Sequence, residues 1–192
     1  MIRKIRSAVM KHKLEKLVKK TEEARKKQVE GYISSTPEEL LELSDENLLD
    51  AVLIRITNKI NRNESQIAGV KCLSEEQRIF YSVVCFQKQI NKGGLCQFFI
   101  NTSRVVAPML SDYLKAIKAP KHKKIYDAFV KNNKIDLEDL SSFAIEYYQD
   151  YDTEYDERKK RYPFDDFDKE FYKLGSLEKH LFKYIRENIS NF

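Results

Sequence analysis

The chain has 192 residues and a formal net charge of +5, with 42% hydrophobic and 34% charged residues but only five Gly and four Pro. That length can bury a sizeable core in one domain with an appendage, and the composition leans towards helix. No apolar run is long enough to cross a bilayer. Residues 1–10 are basic without the apolar centre of an export signal, so a cytoplasmic protein is expected. Cys72, Cys85 and Cys96 are odd in number and lack close metal-ligand spacing, which reads as reduced, mostly buried thiols.

Charge falls in blocks: residues 1–30 carry +7, 31–60 carry −4, 61–91 carry +1, 92–134 carry +7, 135–174 carry −7 and 175–192 carry +1. Such blocks steer oppositely charged partners and say little about fold.

In chain order, residues 2–30 place Ile2, Ile5, Val9, Leu14, Leu17 and Val18 on a loose helical stripe opposite a Lys/Arg-rich face. A basic amphipathic helix can lie on an anionic membrane, bind nucleic acid, dock on another helix, or pack on its own domain with a solvated face. The absence of Trp and Phe weakens the membrane reading. Residues 31–35 read as a break, giving a basic amphipathic helical extension over 1–35 and an all-α domain over 36–192. Thr36-Pro37-Glu38-Glu39 supplies a helix cap, a proline in the first turn and a glutamate three residues past the cap, for a short helix through Leu43. Ser44-Asp45 restarts the helix, with Leu49, Val52, Leu53, Ile56 and Ile60 as its buried stripe, and residues 61–65 are a polar loop.

Residues 74–101 organise the rest. Ser74 and Gln77 have the spacing of a reciprocal capping box. Ile79, Phe80, Val83, Val84, Phe86, Gln87 and Ile90 then recur on one helical face, which stops at Gly93-Gly94. The glycine pair permits a sharp corner and close backbone approach, and Leu95, Phe98, Phe99 and Ile100 resume the apolar run. Beyond it, a helix is expected over 105–117 with Val106, Met109, Leu110, Tyr113, Leu114 and Ile117 inward and Pro108 in its first turn. Pro120 opens a helix carrying Ile125, Ala128 and Phe129. Asp136 caps another containing Leu137, Leu140, Ala144 and Tyr147, and the last runs from Leu177 to Asn188. No segment alternates as a strand does, so the expected fold is an all-α multi-helix domain with an N-terminal basic helical extension.

Gly93-Gly94-Leu95-Cys96-Gln97-Phe98-Phe99-Ile100-Asn101 resembles the NGGF-x-QFF-x-N signature of the DNA-mimic protein family, a bacterial domain of unknown function. The segment 114–119 resembles the family's L-x-x-IGA, 164–172 its F-D-x-L-D-x-x-F-Y, and 184–188 its closing stretch, so the resemblance spans about residues 48–192. The chain departs from the signature at Lys92 (for Asn), Leu95 (for Phe) and Lys118 (for Gly). Gly93, Gly94, Gln97, Phe98, Phe99 and Asn101 are the motif positions carried over. The resemblance implies a helical homodimer whose carboxylates stand in for DNA phosphates on a basic, DNA-binding partner. Here Asp150, Asp152, Glu154, Asp156, Glu157, Asp165, Asp166 and Asp168 are the candidate partner-binding residues, within an acidic region over 136–170.

No catalytic, cofactor-binding or metal-binding set is expected. His12, His122 and His180 are far apart in sequence, and no phosphate loop, nucleophile elbow or paired-cysteine motif occurs. Residues 150–157 alternate carboxylates as a calcium loop does, but Tyr155 holds the glycine position and Arg161 that of the bidentate glutamate. A non-catalytic protein–protein interaction module binding a basic DNA-binding or toxin partner is the first reading. The alternative is nucleic-acid binding by residues 1–30 with Lys115, Lys118, Lys121, His122, Lys123 and Lys124.

Overall fold

The computed structural model describes residues 2–145 and 150–192. Among them are ten α-helices and no strand, the all-α class expected from the periodicity. They group into two compact units, Met1–Gly69 and Val70–Phe192.

The first unit holds α1 (Ile2–Ser34), α2 (Pro37–Leu41) and α3 (Asp45–Asn61), and α4 (Gln66–Lys71) follows. Residues 31–35 are not the expected break, because α1 continues through Gly31 to Ser34. Glycine in a helix costs about 1 kcal/mol, and tertiary contacts offset it. Tyr32 is buried, and Arg55 of α3 donates to the carbonyls of Tyr32 (3.4 Å) and Ser35 (2.5 Å), which the end of the helix leaves open. Arg25 pairs with Asp50 of α3 at 2.9 Å. The capping box of Thr36 and Glu39 forms as its spacing indicates, and Ser44 caps α3. The buried stripe of α3 is Leu48, Ala51, Val52, Ile56 and Ile60, while Leu49 and Leu53 are only half-buried. Leu14, Leu17 and Val18 are exposed, and the side chains of Ile2, Ile5 and Val9 lie outside the described ones.

The second unit is built around α5 (Glu75–Ile100), which touches α6 (Ala107–Ala116), α8 (Tyr151–Arg161), α9 (Phe164–Leu174) and α10 (Glu178–Glu187); α7 (Pro120–Asn132) packs on α6 and α9. Ser74 and Gln77 form the reciprocal capping box that starts α5. Its core is aromatic: Phe86 meets Phe98 edge-on at 5.0 Å and Phe171 at 5.8 Å, and Phe99 stacks on Phe143 at 4.8 Å. Edge-to-face and offset rings contribute about 0.5–1.5 kcal/mol per pair beyond the area they bury.

Two further expectations need correction here. The helix expected from Asp136 through Leu137, Leu140 and Ala144 is absent; only a 3-10 turn at Ser141–Phe143 forms, and Tyr147 lies outside the described residues. The Asp136 carboxylate accepts from the Glu138 amide (2.9 Å) and the Asp139 carboxylate from the Ser141 amide (3.0 Å), local turns that compete with helix. Met109 and Ala128 face solvent rather than the core, because Ala107, Leu110, Leu114 and Tyr126 take the inward positions. Residues 151–161, whose start carries the alternating carboxylates, form the helix α8 with no buried residue.

Lys118, which stands where the resembling family has glycine, ends α6 with φ at +57°. A side chain in the left-handed region costs about 1–2 kcal/mol. Lys118→Gly should therefore be more stable than Lys118→Ala by about 1 kcal/mol, since both lose the pair with Glu187 (2.8 Å) and only one relieves the backbone. Equal denaturation midpoints would contradict this.

Candidate functional site

The two segments with the most specific sequence patterns, 93–101 and 164–172, meet at the kink of α5. Gly94 has φ +75° and ψ −172°, whereas Gly93 (φ −164°, ψ 23°) is non-helical but keeps a negative φ. A kink strips helical partners from nearby backbone groups, and buried ones must be paired again. The Leu95 amide donates to Asp168 Oδ1 at 2.8 Å. The Tyr155 hydroxyl donates to the Gly93 carbonyl and the Tyr172 hydroxyl to the Ile90 carbonyl, each at 2.8 Å. Gln97 donates to the Tyr151 hydroxyl at 3.4 Å, and Asn101 donates to Gln89 Oε1 at 2.6 Å. Phe98 and Phe99 are fully buried. The motif residues Gly93, Gly94, Gln97 and Asn101 thus join a hydrogen-bonded corner held by α8 and α9, while Phe98 and Phe99 anchor its continuation in the core.

Burial raises the pKa of Asp168, against the Leu95 hydrogen bond and Lys159, which favour its charged form. Burial also pushes the Cys96 thiol and the Tyr155 hydroxyl up to about 12. These groups stay protonated at neutral pH, so neither supplies a nucleophile or a base there.

Of the eight carboxylates expected to face a partner, Glu154 and Asp168 are engaged within the chain. Glu154 is half-buried and paired with Arg158 at 3.0 Å, and Asp168 is taken up by the corner. Asp165 pairs with Lys159 at 3.0 Å and Asp166 with Lys169 at 3.4 Å, so both exposed groups on α9 are partly neutralised. Asp150, Asp152, Asp156 and Glu157 are exposed and have no hydrogen-bond or ion-pair partner among the described residues. Asp152 and Asp156 lie one turn apart on the outer side of α8, with Glu157 beside them. Helical geometry gives the alternating carboxylates of residues 150–157 different directions, so they cannot converge as a calcium loop would. Among the described residues no group of three or more His, Cys, Asp or Glu could hold a metal.

The sequence signal for α8 is its charge order: Asp152 and Glu154 open it, and Arg158, Lys159, Lys160 and Arg161 fill its last turn, as the helix dipole favours. Tyr151, Tyr155 and Tyr172 were missed as corner residues, because their role depends on backbone groups that the kink releases.

The alternative basic set is dispersed in use. Lys118 is paired with Glu187 and Lys123 with Asp127, while Lys115, Lys121 and Lys124 are exposed. His122 is buried, packs edge-on against Phe171 at 5.1 Å and contacts the Gly175 carbonyl through Nε2 at 3.0 Å. A carbonyl only accepts, so Nε2 carries the proton and Nδ1, which has no partner, carries the lone pair. His180 is the other titratable ring against it, at 6.1 Å.

Burial chiefly holds the His122 pKa below its ordinary value. The unfolded chain then takes up this proton before the folded one does, so stability falls as pH drops through the ordinary histidine range towards the folded value. Between about pH 7.5 and 5.5 the wild type should lose more stability than His122→Gln. Parallel curves for the two would contradict the buried neutral imidazole.

No helix of the described residues is long and apolar enough to cross a membrane. A protein-family model described as DMP19-like protein matches residues 71–188, nearly the bounds of the second unit. Residues 48–70, which the motif resemblance included, lie outside that match. No curated protein and no solved structure matches the chain.

Proposed function

The chain belongs to the DMP19-like protein family, a DNA-mimic family, and from that premise we propose that it is a non-catalytic protein-binding module. Its acidic α8 face engages a basic DNA-binding or toxin protein where that partner would otherwise hold phosphates. A family does not fix a function by itself. The observation that carries the reading is the exposed set Asp150, Asp152, Asp156 and Glu157, unpaired among the described residues, beside acidic groups on α9 that are paired with lysines. Unpaired carboxylates are free to accept the two-pronged hydrogen bonds of arginine guanidinium groups. The homodimer implied by the sequence resemblance belongs to the same proposal, with Val105 and Met109 as exposed apolar residues beside α5.

The test is capture of partners from a lysate of the source cell. The full chain is compared with the Asp150→Asn, Asp152→Asn, Asp156→Asn triple variant, and duplex DNA is offered to both at moderate salt. A basic protein should be retained by the wild type and lost by the triple variant, and neither should hold DNA. Retention by both variants, or binding of DNA in place of protein, would favour the basic helices instead.

A further inference from the structure

On α1, Met10, Leu14, Leu17 and Val18 are 72%, 60%, 61% and 48% exposed, an apolar face left open among the described residues. This face continues the one that α1 already uses. Leu14 and Tyr32 are 18 residues apart, five full turns at 3.6 residues each, and so lie on one line along the helix. Tyr32 is buried, and the polar contacts of α3 with α1 and the residue that follows it run from Arg25 to Ser35. N-terminal to Arg25, the same line is left open.

Its spacing and its borders say what fits. Met10, Leu14, Leu17 and Thr21 step by four, three and four residues, the spacing of a helix–helix seam. Lys13 and Lys20 border it on one side and Lys11 on the other, all exposed. A second copy of α1 would set basic flank against basic flank. A lipid surface would find no Trp, Phe or Tyr among residues 1–31 to anchor in its interface. An acidic helix satisfies both the apolar seam and its lysine borders.

We propose that α1 from Met10 to Thr21 is a docking strip for an amphipathic α-helix of another protein, one with an apolar seam flanked by Glu or Asp. The strip lies outside residues 71–188.

The probe is a synthetic peptide of about four heptads with leucine at the seam positions and glutamate at the flanks, beside a lysine-flanked version. Titrated into the full chain, the glutamate peptide should bind and the lysine peptide should not. Leu14→Glu with Leu17→Glu should weaken binding by roughly tenfold or more. The two leucines are exposed, so the thermal midpoint and helix content of that variant should match the wild type; loss of helix content would overturn the assignment of this face as free. No binding, equal binding of both peptides, or unchanged affinity in the variant would overturn the proposal. Self-association lost in the variant would assign the strip to a second copy, and binding of anionic vesicles without binding of the peptide would assign it to a membrane.

Discussion

Replacing Gly94 by Val should lower the stability of the chain by about 3 kcal/mol, read as the shift in a chemical denaturation curve. Gly94 has φ +75°, and a Cβ there would overlap the Asp168 carboxylate, standing 2.7 Å from its carboxyl carbon. A β-branched residue resists that backbone region, and the displaced carboxylate would leave the Leu95 amide unpaired. Gly93 keeps a negative φ, and its Cβ would mainly press on the Gln97 side chain, so Gly93→Ala should cost less than Gly94→Ala. Wild-type stability in both Gly93→Val and Gly94→Val would contradict the corner.

Asp168→Ala is expected to cost about 2 kcal/mol, because it leaves a buried amide donor without an acceptor. Asp168→Asn keeps an oxygen in reach of the Leu95 amide and should cost clearly less. The ordering separates the two roles open to this residue. A carboxylate that served a partner would be indifferent to folding, and both variants would then denaturе as the wild type does. The observed hydrogen bond of 2.8 Å to Leu95 predicts the stability loss.

The all-α class and most helix starts were legible in the sequence, because caps and apolar periodicity are local. Thr36 with Glu39, Ser74 with Gln77, and the prolines near the starts of α6 and α7 all act within a turn of their own position. The course of α1 through Gly31 was not legible, since it depends on Arg55 and on the burial of Tyr32. The segment after Asp136 misled for the opposite reason: its apolar spacing suits a helix, while Asp136 and Asp139 close turns on their own backbone.

For the candidate site, composition marked the acidic region but could not sort its members. Asp165, Asp166 and Asp168 stand within four residues of one another, yet two face outward beside lysines and the third turns into the glycine corner. That sorting requires the register of α9 against α5. The segments 93–101 and 164–172 were recognisable separately, and their contact through Asp168, Tyr172 and the kink gives a physical reason for their occurring together.

The most direct test of the acidic face is competition. A captured basic partner is loaded with labelled duplex DNA, the full chain is titrated in, and the released label is followed. DNA should be displaced as the chain binds, and the Asp152→Asn, Asp156→Asn variant should displace it at least roughly tenfold less well. A ternary complex that retains the DNA, or equal displacement by that variant, would contradict a phosphate-like role for α8.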